Sequence, residues 1–182
     1  MKTIKITSAL LFLLLTIIGC NSEANFATKT VDNKFELSVP DYMKDLALGN
    51  VDANLQMGHA LKEHYAMVIH ETKASLVEAG LNYSVEDYAK FALDFLKSGM
   101  VNPKVQRVSD DVVKINDLES VSYKVWGAFE NDDIGEIVKV FYYITIYKSE
   151  TDYYAFSTWT LQDREKKYLK IMEQMINSFK EV

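Results

Sequence analysis

The run from Ile134 to Lys148 is apolar at odd and even positions alike, and most of those positions are branched or aromatic. Successive side chains of a strand point to opposite sides, so a strand that is apolar on both must be covered on both. This predicts a central strand in a sheet with a layer packed on each face. The flanking segments fit that arrangement. Val121, Tyr123, Val125, Gly127 and Phe129 fall on one side of a preceding strand, opposite Ser120, Ser122 and Lys124. Glu130-Asn131-Asp132-Asp133 reads as the turn between the two strands, Ser149-Glu150-Thr151-Asp152 as the next turn, and Tyr153 to Leu161 as a third strand. Short polar turns of this kind join antiparallel neighbours.

Two amphipathic segments can supply the covering layers. Ser84 stands three residues before Asp87, the spacing of a capping box, in which each residue satisfies a free amide of the first helical turn. Behind it Tyr88, Phe91, Ala92, Phe95 and Leu96 recur at helical spacing, and Gly99 marks the end, where a left-handed residue commonly closes a helix. At the C-terminus Asp163 is the expected cap of a helix that turns Tyr168, Met172, Met175, Ile176 and Phe179 inward. One helix on each face gives an α+β fold, a mainly antiparallel β-sheet sandwiched between helices.

Earlier in the chain, Phe35-Glu36-Leu37-Ser38-Val39 alternates as a half-buried strand does, closed by Pro40-Asp41. Residues 42–50 carry no clear period. Leu55 to Leu61 and Tyr65 to His70 read as the arms of a hairpin turning near Lys62-Glu63. A polar connection leads from there to Ser84, and strand patterns resume after Pro103.

The first residues have a different logic. Lys2 and Lys5 precede an apolar stretch from Ala9 to Ile18, interrupted only by Thr16. Crossing a hydrocarbon core takes roughly twenty apolar residues. A positive start, a short apolar run and a small residue at its end are the marks of a secretory signal. Ile17-Ile18-Gly19-Cys20 resembles the bacterial lipobox, with Ile17 in place of the usual leucine. The resemblance implies cleavage before Cys20, a diacylglyceryl group on its sulfur and, usually, an acyl chain on the new N-terminus. Cys20 is the only cysteine, so no intramolecular disulfide competes for it. The organisation expected is a signal peptide over 1–19, a lipidated tether over 20–34 and one domain over 35–182. Export to a bacterial cell membrane, with Cys20 in the bilayer, follows from the same reading.

Removing 19 of 182 residues leaves ample length for one domain, and 48% hydrophobic residues are too many for a disordered one. The formal charge of −6 becomes more negative once Lys2 and Lys5 are gone. With no basic stripe to interrupt it, such a surface disfavours nucleic acid.

The layout also resembles the PsbP-like superfamily, which includes photosystem extrinsic proteins and many bacterial lipoproteins of unassigned role. The resemblance is carried by Phe35-Glu36-Leu37-Ser38-Val39-Pro40, the middle helix, the meander from Ile115 to Leu161, and the last helix running into Ile176-Asn177-Ser178-Phe179. It departs at Asn116-Asp117, where many relatives have a glycine. It implies a binding or assembly role rather than an enzymatic one.

The residues that could carry chemistry agree with that implication. His70-Glu71 opens like the H-E-x-x-H of zinc proteases, but position 74 is alanine and the second ligand is missing. His59, His64 and His70 lie close in sequence without a completing acid, so they read as structural or surface residues. Asn131-Asp132-Asp133 with Glu130 and Glu136 could attract calcium, but their spacing fails the calcium-loop pattern. No serine sits in G-x-S-x-G, and no glycine-rich phosphate loop is present. No catalytic residue, cofactor or metal ligand is therefore expected. The remaining feature is the crowd of Tyr142, Tyr143, Tyr147, Tyr153, Tyr154, Phe156 and Trp159 on two adjacent strands. Core and cross-strand packing is the ordinary use of such residues, and a pocket or partner face the alternative. The expected partner is an envelope protein or small molecule. A carrier of small apolar ligands, with a pocket between sheet and helix, is the alternative.

Overall fold

The computed structural model describes residues 24–131 and 135–182. The signal segment, Cys20, Asp132 and Asp133 lie outside them. In chain order the described elements are β1 (Phe26–Val31), β2 (Phe35–Pro40), β3 (Lys44–Asp45), β4 (Ala53–His59), β5 (His64–Thr72), α1 (Lys73–Glu78), α2 (Val85–Ser98), β6 (Val101–Arg107), β7 (Val113–Ile115), β8 (Leu118–Asn131), β9 (Glu136–Lys148), β10 (Asp152–Leu161), α3 (Glu165–Ser178) and β11 (Lys180–Glu181). The main sheet runs β3-β4-β5-β10-β9-β8-β6, with β7 also on β8, and β1-β2-β11 form a small second sheet. Every pairing is antiparallel.

Strand β9 is central and covered on both sides, as its composition demands. On one face Phe141, Tyr143 and Tyr147 join Tyr154, Phe156 and Val68 beneath α3 and the small sheet. Tyr168, Met172, Met175 and Ile176 of α3 are all buried there, and so is Phe179 just past its end. Phe179 stacks on Tyr147 at 4.3 Å and on Phe35 at 5.2 Å, joining the two sheets through one aromatic cluster. On the other face Val121, Val125, Ile144, Ile146 and Tyr153 pack against Val85, Tyr88, Ala89 and Leu93 of α2. The fold class is the expected one: an α+β domain whose antiparallel sheet lies between helices.

Several local expectations are corrected. The capping box forms, with Ser84 Oγ accepting from the Asp87 amide at 3.1 Å and the Asp87 carboxylate from the Ser84 amide at 3.0 Å. The helix behind it is rotated, however. Phe91 is 52% and Phe95 76% exposed, while Val85, Ala89 and Leu93 face the sheet. A small residue at the contact lets helix and sheet approach closely, and Ala89 is fully buried here. The larger aromatics move to the flank. Gly99 is right-handed (φ −93°, ψ −1°); positive φ falls instead on Asn102, where β6 is irregularly registered against β8. Asp163 lies in a 3-10 turn (Gln162–Arg164), and α3 begins without a side-chain cap.

Among the described residues, regular structure is already present at Phe26, ahead of residue 35. Within the expected tether, β1 pairs with β2 from Phe26–Pro40 to Val31–Phe35. Three of its six side chains are exposed and one, Val31, is buried, so it carries no apolar alternation. The connection after β5 contains α1, capped by Thr72. Glu130 and Asn131, expected in a turn, continue β8 opposite Ile137 and Glu136. The departure at Asn116-Asp117 is explained by the backbone. Both residues have positive φ, a conformation that asparagine and aspartate tolerate better than most. The Asn116 amide then donates to the carbonyls of Asn177 (3.0 Å) and Phe179 (2.8 Å), tying this turn to the end of α3.

Candidate binding groove

Helix α2 covers only part of its sheet face. Beyond it, β5, β10 and β9 present Met67 and Ile69, Ala155 and Ser157, and Ile144, and these form a groove of about 430 Å³ with one helix flank as its wall. The wall consists of Tyr88, Phe91, Ala92, Phe95 and Leu96; the opposite rim is the loop before β4, through Leu48, Asn50 and Asp52. That loop is held by one side chain. Gln56 Oε1 accepts from the Leu48 amide at 2.7 Å, and Gln56 Nε2 donates to the Asn50 carbonyl at 2.7 Å.

One end of the floor is aromatic. Trp159 pairs with Tyr65 on one side and Tyr142 on the other, and the three rings stack across three strands at 5.5 and 5.2 Å. Gly58 makes room for this: a Cβ there would lie 2.5 Å from the Tyr65 ring. The Tyr65 hydroxyl donates to Glu63 at 2.8 Å, and burial together with that carboxylate pushes it up to about 12. Burial also raises Tyr142 well above its ordinary range. Tyr88 is raised by burial and by the facing Glu71 carboxylate. Among the described residues, Glu71 and Asp52 are the charged ones of the lining, and no lysine, arginine or histidine lines it.

The sequence reading placed the aromatic crowd in the core, and that holds for Tyr143, Tyr147, Tyr153, Tyr154 and Phe156. Tyr142 and Trp159 line the groove instead. Trp126, on the polar side of β8, meets the α3 layer and donates to Glu165 at 2.8 Å.

The three histidines serve the fold. His59 Nδ1 accepts from the Lys62 amide at 3.3 Å. His64 is fully buried, stacks on Tyr168 at 4.5 Å, and is held at about 3 by that burial. His70 pairs with Asp152 at 2.5 Å. Burial pushes the Asp152 carboxyl up, but bonds from Thr151 and His70 outweigh it and hold it below the ordinary value. Among the described residues, no three histidine, cysteine or carboxylate side chains gather as a metal site. No described helix is long and apolar enough to cross a membrane.

No family model matches the chain, and no curated protein matches it. Solved structures do. The chain is similar to cyanobacterial PsbP from Synechocystis, with a TM-score of 0.55 and 12% identity over 93% of this chain and 99% of that one. It is similar to LpqN, involved in cell envelope biogenesis of Mycobacterium tuberculosis, with a TM-score of 0.50 and 12% identity over 81% and 83%. A third is the Saccharomyces cerevisiae Ran-binding protein Mog1p, with a TM-score of 0.55 and 11% identity over 87% and 96%. At these identities the shared property is the fold. The domain has the PsbP-like fold.

Proposed function

We propose that this chain is an exported lipoprotein, held at the cell envelope by lipid on Cys20, whose domain binds another molecule through the α2 groove and performs no chemistry of its own. The observation that carries the binding role is the exposure of Phe91 and Phe95 beside an apolar floor. Contiguous apolar surface of this kind is what a bound molecule covers. The side chains best suited to catalysis are engaged in the fold, His64 with Tyr42 and Thr158, and His70 with Asp152. Fold neighbours described as Ran-binding and as involved in cell envelope biogenesis support a binding role and an envelope location.

A second reading, a carrier for a small apolar ligand, is favoured by the groove's volume. About 430 Å³ falls within the roughly 300–1,000 Å³ of small-molecule sites. Two experiments test the proposal. Cys20→Ala should leave the domain folded and release it from the membrane fraction; retention of the variant would contradict the anchor. A photo-crosslinker at Phe95 should capture a partner in the native envelope, and one at exposed Val77 should not. Equal capture at both positions would contradict the groove.

A further inference from the structure

We infer that the α2 groove takes a small molecule with an apolar body and a single positive charge, an amine or quaternary ammonium. This rests on the groove being the binding site and goes further by assigning the ligand's charge. Three features of the groove select that chemistry. Its volume of about 430 Å³ suits a small molecule. Its charged lining is acidic only, with Glu71 on β5 and Asp52 on the opposing rim, so a carboxylate or phosphate would enter against two negative charges with no cation to pair with. Its floor carries Trp159 and Tyr142, stacked at 5.2 Å and nearly parallel at 13°. Both faces of Trp159 are covered, by Tyr65 and by Tyr142, so these rings serve the ligand's apolar body, and its positive charge is drawn by the two carboxylates. Asn50 and Ser157 add neutral hydrogen-bonding groups, and aliphatic and aromatic side chains make up the rest of the lining. A protein partner could use the exposed Phe91 and Phe95, but it would not require a groove with this acidic and aromatic pairing.

Calorimetric titration of the full chain with phenylbutylamine, phenylbutanol and phenylbutanoate, which differ chiefly in charge, tests the inference. The amine should bind about tenfold tighter than the alcohol, and the carboxylate weakest, since tenfold is the scale of one well-placed charge contact. Asp52→Asn with Glu71→Gln should bring the amine to the level of the alcohol while leaving the alcohol unchanged. Ala155→Trp, which fills the floor, should abolish all three; Phe95→Ala, on the exposed rim, should weaken all three and keep the fold. Carboxylate binding equal to or tighter than amine binding, removed by Ala155→Trp, overturns the ligand assignment and leaves the groove as the site. No binding of any probe, with Phe95 crosslinks still removed by Ala155→Trp, assigns the groove to a macromolecule and overturns the inference. No probe binding and crosslinks unaffected by Ala155→Trp overturns both.

Discussion

Lowering the pH from 7 to 5 should destabilise the domain by about 2 kcal/mol through His64 alone. The folded ring is fully buried, with Tyr42 Oη 2.8 Å from Nδ1 and Thr158 Oγ1 3.2 Å from Nε2. The Thr158 hydroxyl donates to the Tyr65 carbonyl at 2.9 Å, so its oxygen is the acceptor for Nε2–H. That leaves Nδ1 to accept from the Tyr42 hydroxyl. The neutral ring is thus satisfied on both sides, and a second proton would place Nδ1–H against the Tyr42 O–H. Burial therefore holds the folded pKa at about 3, against about 6.5 for an unfolded histidine. With the folded value below the unfolded one, the unfolded chain binds more protons between them. The contribution is complete above about pH 6.5 and is lost as the pH falls toward 3. At pH 5, 1.5 units below the unfolded value, the loss is 1.5 times about 1.36 kcal/mol, or about 2 kcal/mol. The depressed Asp152 carboxyl acts in a lower window: its contribution is present above about pH 4 and fades below it. Urea melts at pH 7 and 5 of the wild type and His64→Gln would measure the effect. The variant should be less stable at pH 7, with the 2 kcal/mol difference between the two pH values largely gone. An unchanged difference in His64→Gln would refute the assignment.

Three further outcomes follow from the packing. Phe179→Ala should cost about 3–5 kcal/mol in a urea melt, because it leaves a cavity between two sheets, whereas Phe95→Ala should cost under about 0.5 kcal/mol. Asn116→Ala should cost about 1–3 kcal/mol by the same assay, losing two hydrogen bonds at a positive φ; Asn116→Gly keeps the backbone freedom and should lose less. Gly58→Ala should displace the Tyr65 ring and weaken the near-ultraviolet circular dichroism of the Tyr65–Trp159–Tyr142 stack.

The elements that could be read from the sequence are those whose burial imposes a period. Strands β8, β9 and β10 show alternation or full burial, α3 shows one apolar stripe from Tyr168 to Phe179, and the α2 start shows its capping pair. Edge strands were harder. β1 leaves half of its side chains in water and β6 most, so their residues obey no apolar rule, and β6 accommodates Pro103 at an irregular register. The rotation of α2 was not legible because two overlapping stripes share Tyr88, Ala92 and Leu96. Tertiary approach through Ala89 chose the one that leaves Phe91 and Phe95 outside. The groove depends on that rotation and on a helix that leaves part of a face uncovered. One signal did exist: Tyr142 and Trp159 have the opposite parity to Tyr143, Tyr147 and Tyr154 on their strands, which sends them to the other face.

Native mass spectrometry of the protein purified from its native source tests the groove most directly. The wild type should carry an added mass; Ala155→Trp should lack it, and Val77→Trp, altered at an exposed position away from the groove, should retain it. The same added mass on all three proteins, or none on the wild type, would contradict binding through the α2 groove.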